Sequence, residues 1–107
     1  MNDKLLSFLG IAMRAGSIVF GMDEVKKNIL KNKIKLILTA NDISDNSYLK
    51  IQKHSIVNNI EFLKIKNTKD DINMILGKYS AILGIKDINF ANKIKSIVQE
   101  DNILNKC

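Results

Sequence analysis

Short apolar segments alternate with longer amphipathic segments along the whole of this 107-residue sequence. The clearest apolar segment is Leu36–Ala40, a continuous run that is typical of a strand buried on both faces of a sheet. Ser17–Phe20, Ile60–Ile65 and Ala81–Ile85 also have strand character. Because strands and helices alternate without linkers or repeats, the sequence predicts an α/β fold, a small sheet with helices on both of its faces.

Apolar residues at helical spacing predict five helices around these strands. The positions that share an apolar side are Leu5, Leu6, Leu9, Ala12 and Met13 in the first helix, Met22, Val25, Ile29 and Leu30 in the second, Tyr48, Leu49, Gln52 and Ile56 in the third, Ile72, Ile75 and Leu76 in the fourth, and Phe90, Ala91, Ile94, Ile97 and Val98 in the last. The second helix leaves Glu24, Lys27 and Lys31 on another side.

Residues that suit helix caps support these boundaries. Asn2 or Asp3 is the expected N-cap of the first helix, and Asp87 that of the last. Thr68 followed three residues later by Asp71 has the spacing of a capping box, and Gly77 suits the position after the helix that they open. The final residues, 101–107, are expected to fray.

Composition predicts a single domain, residues 1–107, with one core. The longest apolar runs have about five residues, far fewer than the roughly 20 that a membrane-spanning helix needs. The N-terminus lacks a basic region followed by an apolar signal core. Cys107 is the only cysteine, which excludes an internal disulfide and fits a reducing compartment. We therefore expect a cytoplasmic protein that has no membrane segment, and we expect it to be a monomer.

Positive charge is concentrated in the first third of the sequence. The formal net charge is +6 and the sequence pI is about 9.5, which favours an acidic partner, with nucleic acid ahead of a membrane surface. Up to Lys35 the basic residues are Lys4, Arg14, Lys26, Lys27, Lys31, Lys33 and Lys35, against Asp3, Asp23 and Glu24. These seven cations and three anions carry +4 of the total.

No group of residues has the pattern of a catalytic, metal or cofactor site. Gly16 and Gly21 have the spacing of a phosphate-binding loop, but Met22 follows where that motif requires a lysine. His54 is the only histidine and has no motif partner, and Cys107 has no positioned base. We therefore expect neither enzymatic activity nor a bound metal or cofactor.

The segment Gly21-Met22-Asp23-Glu24-Val25-Lys26-Lys27, preceded by Arg14-Ala15-Gly16, resembles a known family. It is similar to the kink-turn RNA-binding ribosomal proteins of the L-seven-Ae and L-thirty-e type, and more narrowly to their small bacterial YlxQ-like members. The resemblance extends over nearly the whole length, through Ala40-Asn41-Asp42, Leu76-Gly77-Lys78 and the last strand and helix. It implies a three-layer α/β/α sandwich around a four-stranded mixed sheet with about five helices.

The resemblance also implies a site. In the family, Gly-x-Asn-Glu-x-x-Lys opens the helix after the first strand; here the matching positions are Gly21, Asp23, Glu24 and Lys27, so Asp23 replaces the asparagine. A glutamate carboxylate can accept from guanine N1–H and N2–H₂, and a lysine can donate to O6 or N7. Lysines and arginine around the motif would neutralise phosphates. The expected RNA-binding residues are Arg14, Gly21, Asp23, Glu24, Lys26, Lys27, Lys31 and Lys78.

The sequence therefore predicts a non-catalytic protein that binds structured RNA, with ribosomal RNA, another kink-turn RNA or the ribosome as its partner. Two alternatives use the same residues. Acidic residues in the first turn and lysines after them also suit the helix dipole, and Asp23 can pair with Lys27 one turn later. The second alternative is a protein-interaction or ribosome-associated module that keeps the fold but has lost kink-turn recognition, and Asp23 favours it.

Overall fold

In a computed structural model, the backbone is described for residues 3–105 and the side chains for residues 3–101. Five helices and four strands alternate. In chain order they are α1 (Lys4–Arg14), β1 (Ile18–Phe20), α2 (Met22–Leu30), β2 (Leu36–Thr39), α3 (Asp45–Val57), β3 (Glu61–Lys64), α4 (Lys69–Leu76), β4 (Ile82–Ile85) and α5 (Ile88–Asn105). The predicted α/β fold and its four strands are thus confirmed, with strand ends that differ by about one residue.

The four strands form one mixed sheet in the order β1-β4-β2-β3. β4 is antiparallel to both β1 and β2, whereas β2 and β3 are parallel. Consequently β1, β2 and β3 all run in one direction and β4 runs against them. The ends of β1, β2 and β3 and the start of β4 lie at the same edge of the sheet, which we call the carboxyl edge.

Helices cover both faces of the sheet, as the predicted three-layer sandwich requires. On one face α1, α4 and α5 pack against the strands, with Leu9, Leu38 and Ile94 in the centre of that cluster. On the other face α2 and α3 pack around Val25 and Ile37. Leu36 and Leu38 lie in the first cluster and Ile37 lies in the second, and all four residues of β2 are buried, so this strand is covered on both sides.

The capping residues act as the sequence predicts. Thr68 Oγ1 accepts from the Asp71 N–H at 3.2 Å while Asp71 Oδ2 accepts from the Thr68 N–H at 3.0 Å, which is a complete capping box. Gly77 ends α4 in the left-handed conformation, with φ of 72°. Asp87 Oδ1 accepts from the N–H groups of Asn89 and Phe90 in the first turn of α5.

Some apolar positions that were expected to be buried are exposed. Leu30 is 85% exposed, Ile56 71%, Leu49 61% and Ile75 54%. In α3 the buried residues are Ile51 and Ser55, so the sheet contacts a different stripe from the predicted one. Helical periodicity identifies stripes but cannot choose between two of them, and that choice depends on where the sheet lies.

The C-terminal end also differs from expectation. α5 continues through Asn105, so the part of the expected frayed segment that the structure describes, residues 101–105, is helical. Residues 106 and 107, including Cys107, lie outside the described residues, as does Asn2, one of the two predicted N-caps. Among the helices of residues 3–105, none is both long and apolar enough to cross a membrane.

Asp3 joins two segments that are far apart in sequence. Its Oδ1 accepts from the Leu6 N–H at 2.9 Å as the N-cap of α1, and its Oδ2 accepts from Asn67 Nδ2 at 2.7 Å. Asn67 is 4% exposed. We expect Asp3→Ala to lower the free energy of unfolding by about 1–3 kcal/mol, because α1 loses its cap and a buried amide loses its acceptor.

Urea denaturation measures this effect. Asp3→Asn is the matched variant, because asparagine caps helices as well as aspartate does but is a weaker acceptor for the Asn67 amide. If Asp3→Ala lowers the free energy of unfolding no more than Asp3→Asn does, the effect comes from the contact with Asn67. That result would contradict a contribution from the cap.

Candidate nucleic-acid interface

Three helices begin at the carboxyl edge of the sheet because each follows a strand that ends there. These are α2 after β1, α3 after β2 and α4 after β3. The loop of residues 77–81, which leads into β4, reaches the same edge. Ligands of open α/β sheets bind outside the carboxyl ends of the strands, so a ligand site is expected at this edge.

The start of α2 depends on the backbone of Gly21. Gly21 has φ of 92° and ψ of 158°, a conformation that is essentially limited to glycine. Its N–H donates to Ile82 O at 2.9 Å, which joins the end of β1 to the start of β4. A Cβ atom at this position would have no atom within 4 Å, so conformation and not space requires the glycine.

The helix N-terminus is open to solvent. Gly21 has no side chain with which to cap α2, and the first backbone bond of the helix runs from the Val25 N–H to Gly21 O at 3.0 Å. Helix N-termini present backbone N–H groups and a partial positive charge. Together these features allow α2 to accept a phosphate or a base acceptor from outside the protein.

The sequence-predicted charges of α2 lie on its outer surface. Asp23, Glu24, Lys26 and Lys27 are all exposed, while Val25 is fully buried against the sheet. The ion pair that the sequence allows between Asp23 and Lys27 is not formed. The three ion pairs among residues 3–101 all lie elsewhere, so the carboxylates and ammonium groups of α2 remain free for a ligand.

The loop before β4 adds groups beside the opening of α2. Lys78 is exposed there, four residues before the Ile82 carbonyl that binds Gly21. Tyr79, which is not among the predicted site residues, is 62% exposed, and Lys69 Nζ of α4 lies 5.6 Å from the centre of its ring. An exposed aromatic ring flanked by cations suits stacking on a nucleobase. In the sequence Tyr79 lies two residues after Gly77, the glycine that ends α4.

Two predicted site residues do not join this group. Arg14 ends α1, which packs on the opposite face of the sheet from α2. Its Nη1 lies 3.6 Å from the position of a Cβ atom at Gly10, so the guanidinium lies along α1. Lys31 is exposed at the C-cap of α2, about 13 Å from the helix opening for a nine-residue helix with a rise of ~1.5 Å per residue.

Gly84 positions α2, although it is not among the residues predicted to form the site. It lies in the central strand β4, beside Val19 of β1 and Ile37 of β2. A Cβ atom at Gly84 would lie 2.8 Å from Ile34 Cδ1 and 3.2 Å from Val25 Cγ2. The missing side chain therefore lets α2 and the segment after it approach the sheet closely.

No group of three or more His, Cys, Asp or Glu side chains within residues 3–101 is arranged to hold a metal ion. A cavity of about 530 Å³ is a groove between α1 and α4 that is lined by Asp3, Ser7, Asn67, Asp71 and Met74, among others. It does not include any of the predicted site residues.

Solved structures share this fold. A protein of unknown function from Bacillus halodurans superposes with a TM-score of 0.84 at 23% identity, over 92% of this chain and 99% of that one. The 15.5kD RNA binding protein of Giardia lamblia superposes with a TM-score of 0.71 at 18% identity, over 97% of this chain and 92% of that one. At these identities the comparison concerns the fold alone.

Sequence relatives lead to a narrower group. The chain is 29% identical over 98 residues to the RNA-binding protein YlxQ of Enterococcus faecium, covering 92% of this chain and 94% of the relative. It is 30% identical over 91 residues to the RNA-binding protein YlxQ of Bacillus subtilis (strain 168), covering 84% and 90%. A family profile also matches residues 3–95. This chain belongs to the ribosomal protein L7Ae/L30e/S12e/Gadd45 family.

Proposed function

We propose that this protein binds structured RNA at the carboxyl edge of its sheet. The observation that carries the proposal is the open N-terminus of α2, where Glu24 and Lys27 are exposed one turn apart and outside every ion pair of residues 3–101. Membership of the family, and relatives that are named as RNA-binding proteins, support the same partner.

The chemistry of the opening fits a kinked RNA with G·A pairs. Sheared G·A pairs expose guanine edges that a regular A-form helix hides in its deep, narrow groove. Glu24 would accept from guanine N1–H and N2–H₂, and Lys27 would donate to O6 or N7. Tyr79 would stack on an unpaired base beside them, while Lys26, Lys69 and Lys78 would contact phosphates. No covalent step is involved: the protein stabilises one RNA conformation by binding it better than the others.

Asp23 modifies this recognition. It occupies the position that is asparagine in the family motif, is exposed, and adds a negative charge at the opening. Aspartate also lacks the side-chain NH₂ group with which asparagine can donate hydrogen bonds. We therefore propose that the protein keeps guanine recognition through Glu24 but binds with lower affinity than an otherwise identical protein with asparagine at this position.

A salt titration tests the proposal. Binding to an RNA with an internal G·A-containing kink would be measured from about 50 to 200 mM salt, beside the same RNA with its G·A pairs replaced by Watson–Crick pairs. We expect the logarithm of the binding constant to fall linearly with the logarithm of salt concentration, because phosphate contacts release counterions. We expect the kinked RNA to bind more tightly at every salt concentration. A flat salt response, or equal binding of the two RNAs, would contradict RNA recognition at this site.

A protein-interaction module is the second candidate, and a specific observation favours it. Leu49, Ile56 and Val57 of α3 are 61%, 71% and 74% exposed, which is unusual for large apolar side chains on one helix. Affinity capture from a lysate with and without ribonuclease separates the candidates. Partners that survive removal of RNA would support the interaction module.

A further inference from the structure

A cleft lies at the opposite edge of the sheet from the α2 opening. α2 and α3 both begin at the carboxyl edge, so their C-terminal ends meet at the other edge. Between them is a cavity of about 370 Å³. Its walls include the apolar side chains of Ile29, Ile34 and Ile60, and its polar lining consists of Asn32, Asn58, Asn59 and Lys35.

Two of the three asparagines of this cleft, Asn32 and Asn59, have amide groups available for a ligand. Asn32 and Asn59 end their helical segments with φ of 56° and 55°, the left-handed conformation. The asparagine side chains that donate hydrogen bonds in residues 3–101 are Asn28, Asn58 and Asn67, so the amides of Asn32 and Asn59 are not used within this part of the chain. An asparagine amide can donate and accept at once, as pairing with a base edge requires.

The segment between α2 and β2 is positively charged. Lys35 lines the cleft, Lys31 and Lys33 are exposed in the same segment, and residues 25–41 contain no acidic residue. The nearest carboxylate in the chain beyond Ile60 is Glu61, and Lys95 Nζ holds it at 3.2 Å. The isoleucine side chains, the unused amides and the Lys35 ammonium group supply contacts for the three parts of a nucleotide, which are a base face, a base edge and a phosphate.

We propose that this cleft binds one unstacked nucleotide of single-stranded RNA. The proposal rests on the proposed function, since the nucleotide would belong to a strand that continues from the RNA at the α2 opening. The two places are separated by the length of α2, about 13 Å at ~1.5 Å per residue. Lys31 is exposed at the end of that helix and would contact a phosphate between them.

The first experiment uses the single-stranded tetranucleotide r(AAAA) and nuclear magnetic resonance of the ¹⁵N-labelled protein. We expect r(AAAA) to shift the side-chain NH₂ signals of Asn32 and Asn59 and the backbone signal of Lys35. In the Asn32→Gly/Asn59→Gly variant the remaining shift at Lys35, measured at a subsaturating concentration of r(AAAA), should fall at least about fivefold, the lower end of what a bidentate amide–base pair contributes. Glycine adopts positive φ as readily as negative φ, so this variant keeps the backbone and removes only the amides.

Shifts spread evenly over all exposed lysines, or an unchanged response in the double-glycine variant, would overturn the proposal. The charge control compares Lys35→Gln with Lys93→Gln, since Lys93 is an exposed lysine on α5 and both variants lose one positive charge. Only Lys35→Gln should weaken the response to r(AAAA).

A second experiment separates this proposal from the proposed function. The kinked RNA would be compared with and without a single-stranded adenylate tail, in the natural protein and in the double-glycine variant. The tail should strengthen binding by at least about fivefold in the natural protein and by much less in the variant. No gain from the tail would overturn the cleft alone. Failure of both kinked RNAs to bind, with r(AAAA) still shifting Asn32 and Asn59, would overturn the proposed function alone.

Discussion

We expect Gly84→Val to lower the free energy of unfolding by about 1–3 kcal/mol, the usual cost of overpacking a core. A Cβ atom at Gly84 would lie 2.8 Å from Ile34 Cδ1, 3.1 Å from Val19 Cγ2 and 3.2 Å from Val25 Cγ2. Valine adds two methyl groups beyond that atom. Because β4 is paired on both sides, it cannot move aside, so α2 must move away from the sheet. Urea denaturation monitored by circular dichroism measures the change.

Gly10→Ala is the matched control, because packing does not require glycine at position 10. A Cβ atom there would lie 3.6 Å from Arg14 Nη1 and 3.9 Å from Leu76 Cδ2, which are ordinary contacts. Gly10 is inside α1, where alanine is favoured over glycine by roughly 0.5–1 kcal/mol, so this variant should be more stable than the natural protein. Equal stability of Gly84→Val and the natural protein would contradict close packing of α2.

The second large effect concerns RNA recognition. We expect the double variant Glu24→Ala/Lys27→Ala to bind the kinked RNA about 1–3 kcal/mol more weakly, and to lose most of its preference for G·A pairs. The physical reason is that the variant lacks both the acceptor and the donor proposed to read guanine. Fluorescence anisotropy with the kinked RNA and the RNA without G·A pairs gives both quantities.

Lys4→Ala/Glu100→Ala is the control for this variant. It also removes one lysine and one glutamate, so the net charge is unchanged, and the pair is an exposed ion pair with an Nζ–Oε2 distance of 3.1 Å. Surface pairs of this kind contribute little to stability, and this one lies between α1 and α5, away from the α2 opening. The control should bind RNA like the natural protein. Equal losses in the two variants would contradict guanine reading by α2.

Asp23→Asn tests the position where this chain differs from the family motif. If the α2 opening faces RNA, removal of the negative charge and gain of an amide donor should strengthen binding to the kinked RNA. The protein-interaction alternative predicts no change in RNA affinity. Since Asp23 is exposed and outside the ion pairs of residues 3–101, the substitution should leave the fold intact.

The order and type of the secondary-structure elements were determined by local sequence. The apolar run of β2, the capping box of Thr68 and Asp71 and the glycine after α4 all act through contacts within a few residues, so they can be recognised without the fold. The motif that opens α2 is local in the same sense. Its glycine is the N-cap of α2, and its carboxylates and lysines lie on that helix, whose buried stripe contains Val25 and Ile29.

Which residues lie together at the candidate site was decided only by tertiary structure. Arg14 is close in sequence to α2, but β1 lies between them. α1, which ends at Arg14, packs on the opposite face of the sheet from α2. Tyr79 and Lys69 are distant in sequence from Gly21, but strand order brings their segments to the same edge. Periodicity likewise left open which stripe of α3 is buried. These outcomes depend on strand order and on which surface each helix meets, and both are set by contacts between residues that are far apart in the chain.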